Sequence, residues 1–186
     1  MTTVAKLKTA LREAMSTQPL SEINVTELCK KCHIHRQTFY YHFQDIYDLL
    51  TAIFLSEEIP SLETAKTVEE TVNAVVKYCK DNFVFLRSAY GSSASEFVDD
   101  FLFGKIMGKM FSLFLQDDKY GLSKEESRTL SRRYARFVQQ ELSYWLKSTL
   151  VTPNRFERQM KRFLVGCKKE VLPGIVKLIY EERNKK

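Results

Sequence analysis

The run Cys29-Lys30-Lys31-Cys32-His33-Ile34-His35 gathers two of the four cysteines and two of the three histidines at short spacing. Thiolate and imidazole groups spaced this way can share a zinc ion, and a thiol pair can act as a redox switch. Covalent haem attachment to a Cys-x-x-Cys-His run needs export, and the N-terminal stretch does not read as an export signal. Packing accounts for the cysteines more simply, because a free cysteine behaves as a small buried hydrophobe. No metal site is therefore expected. The residues that follow offer a different chemistry. Arg36, Gln37 and Thr38 open a short segment that continues through Tyr40, Tyr41 and His42. Arginine can chelate a guanine edge and glutamine an adenine edge, and Tyr41 can meet a thymine methyl or a phosphate.

Catalysis finds little support. The chain has no glycine-rich phosphate loop, no nucleophile elbow and no histidine beyond His42. Asp99-Asp100 and Asp117-Asp118 are sequence neighbours and so point to different faces of a helix. No catalytic residue or cofactor is expected. A second candidate site is an aromatic and methionine stripe that could line an effector cavity: Phe83, Phe101, Met107, Met110, Phe111 and Trp145, with Phe97, Phe114 and Tyr144 nearby. The same stripe at helical spacing is more often plain core. Between Lys124 and Lys169, twelve Lys/Arg face four Glu. That stretch could dock an anionic ligand, a partner or flanking DNA, but a solvated helical face suits it better.

The elements that must position these residues are helical. Six glycines and four prolines leave few breaks, and no stretch alternates as a strand would. Val4, Leu7, Leu11 and Ala14/Met15 mark a first helix from about Thr3 to Ser16. Asn24 and Glu27 have capping-box spacing, with Ile23 and Leu28 at staple positions. After a turn at His33-Ile34-His35, a second short helix begins near Arg36 and turns Phe39 and Phe43 inward. Asp45 caps a fourth helix that ends before Pro60. The spacing then predicts helices from Thr67 to near Gly91, from Ser93 towards Gly121, and from Ser123 through Leu146. One more starts at Thr152-Pro153, and Pro173-Gly174 interrupts before a last piece, Ile175–Glu182. Cap, turn spacing and a donor-rich outer face coincide only around Arg36.

The run VTELCKKCHIHRQTFYYHFQDIYDLL resembles the helix-turn-helix and fourth helix of the TetR family of transcriptional regulators. The wording from Thr38 to Leu50 is most similar to the branch around the dihydroxyacetone-kinase operon regulators. The resemblance implies an all-α, TetR-like fold. Residues 1–46 would be a three-helix DNA-binding domain, and residues 47–186 a helical effector-binding and dimerisation domain. It implies a DNA-contacting set of Thr26, Arg36, Gln37, Thr38, Tyr40, Tyr41 and His42, with Tyr40 and His42 on the phosphate backbone. Cys29 and Cys32 fall where the family has small alanines. Three positions depart from the pattern. His33 replaces a turn glycine and would need a left-handed or otherwise adjusted backbone, at some cost. His35 replaces a serine cap. Ile46 replaces a phosphate-reaching lysine, which removes about one ion-pair equivalent from the salt dependence.

The 186 residues are ample for a buried core. The net charge of +6 permits a nucleic-acid partner, yet residues 1–50 hold six Lys/Arg against five Asp/Glu, so the excess does not mark the DNA-binding half. No apolar run is long enough to span a bilayer. The expectation is a cytoplasmic homodimer with reduced thiols. It would bind a palindromic operator in double-stranded DNA and be controlled by a small-molecule effector or a partner protein. Repression is the family default; the sign is not encoded in these residues. The alternative is a protein–protein interaction module or coactivator with weak intrinsic DNA binding.

Overall fold

Local start signals set most of the helix boundaries. The computed structural model describes residues 2–116 and 120–185, and all regular elements among them are helical. Asp117-Asp118 lies outside the described residues, as does the side chain of Lys168. The helices are α1 (Thr3–Met15), α2 (Val25–Cys32), α3 (Arg36–His42), α4 (Ile46–Ser56), α5 (Pro60–Glu63), α6 (Val68–Asp81), α7 (Phe83–Tyr90), α8 (Ser95–Gln116), α9 (Lys124–Lys147), α10 (Pro153–Gly166) and α11 (Leu172–Arg183). A 3-10 turn, Leu20–Glu22, follows α1, and a π turn, Cys167–Val171, joins α10 to α11.

At several of these starts a side chain pairs with an otherwise unpaired first-turn N–H group. The Glu27 N–H donates to Asn24 Oδ1 at 3.0 Å and the Asp48 N–H to Asp45 Oδ1 at 2.8 Å. The Glu70 N–H donates to Thr67 Oγ1 at 3.1 Å. Ser123 and Glu126 form a reciprocal capping box, and Thr152 accepts from the Arg155 N–H with Pro153 in the first turn.

The chain divides into two compact units. The first takes the residues up to Glu58 together with Asn82–Phe101; the second takes Ile59–Asp81 and the residues from Leu102 onward. In the first unit α1 packs on α2, α4 and α7. Leu7, Leu11, Met15, Leu28, Phe39, Leu49, Leu50 and Leu86 form its buried core, each contributing about 1.5–3 kcal/mol on burial. The three-helix assembly of residues 1–46 is thus built into a larger unit, because the inner stripe of α1 needs α4 and α7 to cover it. In the second unit α10 packs on α6 and α9, and α9 on α11. Val75, Ile106, Leu130, Tyr134, Val138, Leu142 and Phe156 are buried there.

Three boundaries differ from the sequence expectation. The helix expected from Thr67 to near Gly91 is two helices, broken at Asn82 (φ −107°, ψ 22°). Asn82 Oδ1 accepts from Arg12 Nη1 at 3.1 Å, an interaction across 70 residues that the local apolar stripe does not reveal. Helix α8 begins at Ser95 rather than immediately after Ser93, and the Ala94 N–H donates to Ser92 Oγ. Pro173 does not interrupt the last helix but sits in the first turn of α11. Proline removes a donor and crowds the carbonyl four residues earlier; the widened π turn just upstream accommodates that loss.

Candidate nucleic-acid interface

Helix α3 is seven residues long and is held by two inward aromatics, Phe39 and Phe43, both buried with ring centroids 5.9 Å apart. The turn before it depends on His33, which adopts φ 55°, ψ 46°, the left-handed conformation required of the glycine position. The Ile34 N–H then donates back to the Cys29 carbonyl at 3.0 Å, which closes α2 and aims the chain into α3. His35 supplies no side-chain cap. Ile46 is buried at the start of α4, where an exposed cation would have reached outward.

With Phe39 and Phe43 turned in, Arg36, Gln37, Tyr40, Tyr41 and His42 are left exposed. Tyr40 is 49% exposed and Tyr41 84%, an unusual exposure for aromatics on a structural helix. Arg36 Nη2 donates to the Tyr40 hydroxyl at 3.3 Å, and its guanidinium lies 5.8 Å from the Tyr40 ring centroid. Tyr40 packs edge-on against Phe39 at 5.5 Å, and Tyr41 edge-on against His42 at 5.0 Å. Thr38 and Thr26 are half-buried. The arrangement presents a guanidinium, an amide, two phenols and an imidazole on a rigid, narrow probe, the donor and acceptor set that base edges and phosphates need.

Cys29 and Cys32 are buried beneath this surface, and burial pushes both thiols up from their ordinary range. A raised thiol is a poor nucleophile and a poor metal ligand. Among the described residues no three His, Cys, Asp or Glu side chains come together to hold a metal ion.

Protein-family models and curated proteins give no match to this chain. Solved structures do. The dihydroxyacetone kinase operon activator DhaS superposes with a TM-score of 0.65 at 18% identity, over 88% of this chain and 94% of its own. The fatty acid degradation regulator FadR from Bacillus halodurans gives 0.60 at 16%, over 89% and 96%. A tetR-family transcriptional regulator from Streptomyces coelicolor gives 0.55 at 11%, over 96% and 88%. The fold is TetR-like. An operon regulator of the branch that Thr38–Leu50 resembles is among these structures.

In this TetR-like fold the aromatic and methionine candidates separate. Phe83 and Phe101 belong to the first unit. Phe83 is buried under the Arg87 guanidinium, and Phe101 packs 5.2 Å from Phe54. Met107, Met110, Phe111 and Trp145 belong to the second unit. Met110 is fully buried, Met107 and Phe111 are half-buried, and Trp145 Nε1 donates to Glu141 Oε1 at 2.7 Å. A cavity of about 750 Å³ lies elsewhere in the second unit. Its walls come from Lys66–Glu69 at the start of α6, Leu113 and Phe114 of α8, Tyr120, Tyr134 of α9, Leu164 of α10, and Leu172, Pro173, Val176, Lys177 and Tyr180 of α11. None of the six candidates lines it; of the wider stripe only Phe114 does. Convergence of five helices made the cavity, and no single helical stripe could announce it.

No helix among the described residues is long and apolar enough to cross a membrane.

Proposed function

We propose that this chain is a DNA-binding transcriptional regulator that grips the two half-sites of a palindromic operator as a homodimer, one α3 in each major groove. The observation that carries the proposal is the outer face of α3. Arg36, Gln37, Tyr40, Tyr41 and His42 are exposed together, while Phe39 and Phe43 lock the helix from beneath. Thr26 of α2 and Thr38 of α3 are half-buried and complete the proposed contact set. The TetR-like fold supports the same reading, as do the transcriptional regulators named among the similar structures. A seven-residue probe reads only a few base pairs, so two copies at symmetric half-sites are needed for useful specificity.

Exposed apolar side chains favour a second copy as the partner of the body. Phe137 and Tyr144 stand seven residues apart on α9, 42% and 66% exposed, and Phe137 stacks on Phe163 of α10 at 5.3 Å. An event in the body that alters the spacing of the two α3 helices would alter the affinity for DNA. Occupancy of an operator makes repression the simplest outcome.

Selection of bound duplexes from a random DNA pool, with wild type beside Tyr40→Ala, tests the proposal. The expected result is an enriched inverted repeat that the variant loses. A folded dimer that enriches no sequence would reject it and favour a protein-interaction module.

A further inference from the structure

The second-unit cavity has a graded lining. Phe114, Tyr134, Leu172 and Val176 are buried and form its floor, whereas Lys66 and Lys177 are exposed and stand at its rim. The floor offers a ligand little polar purchase. The Tyr134 hydroxyl is hydrogen-bonded to the Cys167 thiol, and the neighbouring Tyr180 hydroxyl donates to the Tyr120 carbonyl at 2.5 Å. Of the charged side chains that line the cavity two are lysines and one is Glu69; Glu70, whose Oε2 accepts from the Lys66 N–H at 2.6 Å, and Glu181 are not among the lining residues. Lys177 meets Glu181 only at 3.9 Å, with most of its side chain in solvent. A volume of about 750 Å³ lies within the range of pockets that hold small organic ligands.

We infer that this cavity binds a small molecule with an apolar body and a single negative charge, the body against Phe114, Leu172 and Val176 and the anion between Lys66 and Lys177. The apolar floor supplies affinity, and the rim supplies the preference for an anion over a neutral or cationic molecule of the same shape. That an occupied cavity changes DNA affinity rests on the regulator proposed above; the binding itself does not.

Two fluorescent probes of nearly one shape test this on the full chain: 8-anilinonaphthalene-1-sulfonate and its uncharged counterpart N-phenyl-1-naphthylamine. Wild type is expected to bind the sulfonate saturably, one per chain, about five- to tenfold tighter than the neutral probe, the scale of two solvent-screened ion pairs. Lys66→Gln/Lys177→Gln abolishes that preference and leaves the neutral probe unchanged. Lys77→Gln/Lys147→Gln, the same charge change away from the cavity, retains it. Equal affinity for the two probes, a preference that survives Lys66→Gln/Lys177→Gln, or no saturable binding to the folded chain overturns the inference. Val176→Trp fills the floor and weakens both probes; undiminished binding would place them elsewhere and likewise overturn it. Duplex selection on the same preparation reports separately on the DNA reading, so either can fail alone.

Discussion

Arg36 and Tyr40 stand one helical turn apart on the exposed face of α3, and Arg36 Nη2 donates to the Tyr40 hydroxyl at 3.3 Å. The pair holds a cation and a phenol side by side without burying either. Under the regulator function proposed above, their roles on DNA differ. A guanidinium that chelates a guanine discriminates between bases, whereas a phenol on a phosphate does not. Arg36→Ala is therefore expected to cost about 1–3 kcal/mol on the selected duplex and to relax the preference at one position. Tyr40→Phe keeps the packing on Phe39 and weakens all duplexes alike, with the salt slope unchanged. Anisotropy titrations against KCl concentration measure both. Wild-type affinity for the selected duplex in Arg36→Ala would remove that side chain from the interface.

His33 and His35 frame the turn into α3, and each is a poor choice for its backbone. His33 sits at φ 55°, where a Cβ costs roughly 1–2 kcal/mol. The His33→Gly variant is expected to be more stable than His33→Ala by about 1 kcal/mol after allowing for glycine's unfolded-state entropy. His35 precedes α3 without a side-chain cap, and His35→Ser should add about 1 kcal/mol. Urea midpoints of the three variants are the measurement. A His33→Gly chain no more stable than the His33→Ala chain would contradict the left-handed turn.

These short-range features were legible because their causes are short-range. Asn24, Asp45, Ser123 and Thr152 announce helices that begin at the next residue, and each caps an N–H three residues on, as expected. The left-handed His33 was legible in part: the resemblance sets it in place of a turn glycine, which called for a left-handed or otherwise adjusted backbone. The break at Asn82 was not. Val72, Val75 and Cys79 lead smoothly to Phe83 and Leu86, and the interruption is tied to Arg12, far away in sequence. The cavity was hidden for the same reason. Lys66, Tyr134 and Val176 come from separate parts of the chain whose meeting no spacing encodes. The aromatic stripe, by contrast, fits either core or site by its spacing alone, and Met110 and Phe101 are buried as core.

Glu126 reaches Arg183 through both carboxylate oxygens, each at 2.7 Å, and its Oε2 also accepts from the Ser123 N–H at 2.8 Å. The Arg183 hydrogen bonds, then the Ser123 backbone, hold this carboxyl at about 2, well below the ordinary range. A group depressed on folding stabilises the native state above its unfolded value, about 4.3, and loses that contribution as pH falls towards 2. The pair is solvent-accessible and screened, so the effect is below about 1 kcal/mol. Carboxyl NMR should find the Glu126 midpoint near 2, with Arg183→Met returning it towards the ordinary range. An unchanged midpoint in Arg183→Met would assign the depression to the capping box alone.

Arg12 joins three parts of the first unit. Its Nη1 donates to Asn82 Oδ1 at 3.1 Å, its Nη2 is paired with Glu57, and its guanidinium lies 4.3 Å from the Phe85 ring centroid. It thereby ties α1 to the end of α4 and the start of α7. A lysine cannot reproduce this, because the planar fork serves two acceptors while lying over a ring. Arg12→Ala is expected to destabilise the chain by about 1–3 kcal/mol, and Arg12→Lys to restore less than half of that. If α4 relays events in the body to α3, the loosened joint should also weaken that relay. Hydrogen exchange at the C-terminal turn of α4 and the first turn of α7 should accelerate in Arg12→Ala, while exchange in α2 changes less. Uniform acceleration across the first unit would mean that Arg12 supports stability generally and is no joint between α1, α4 and α7.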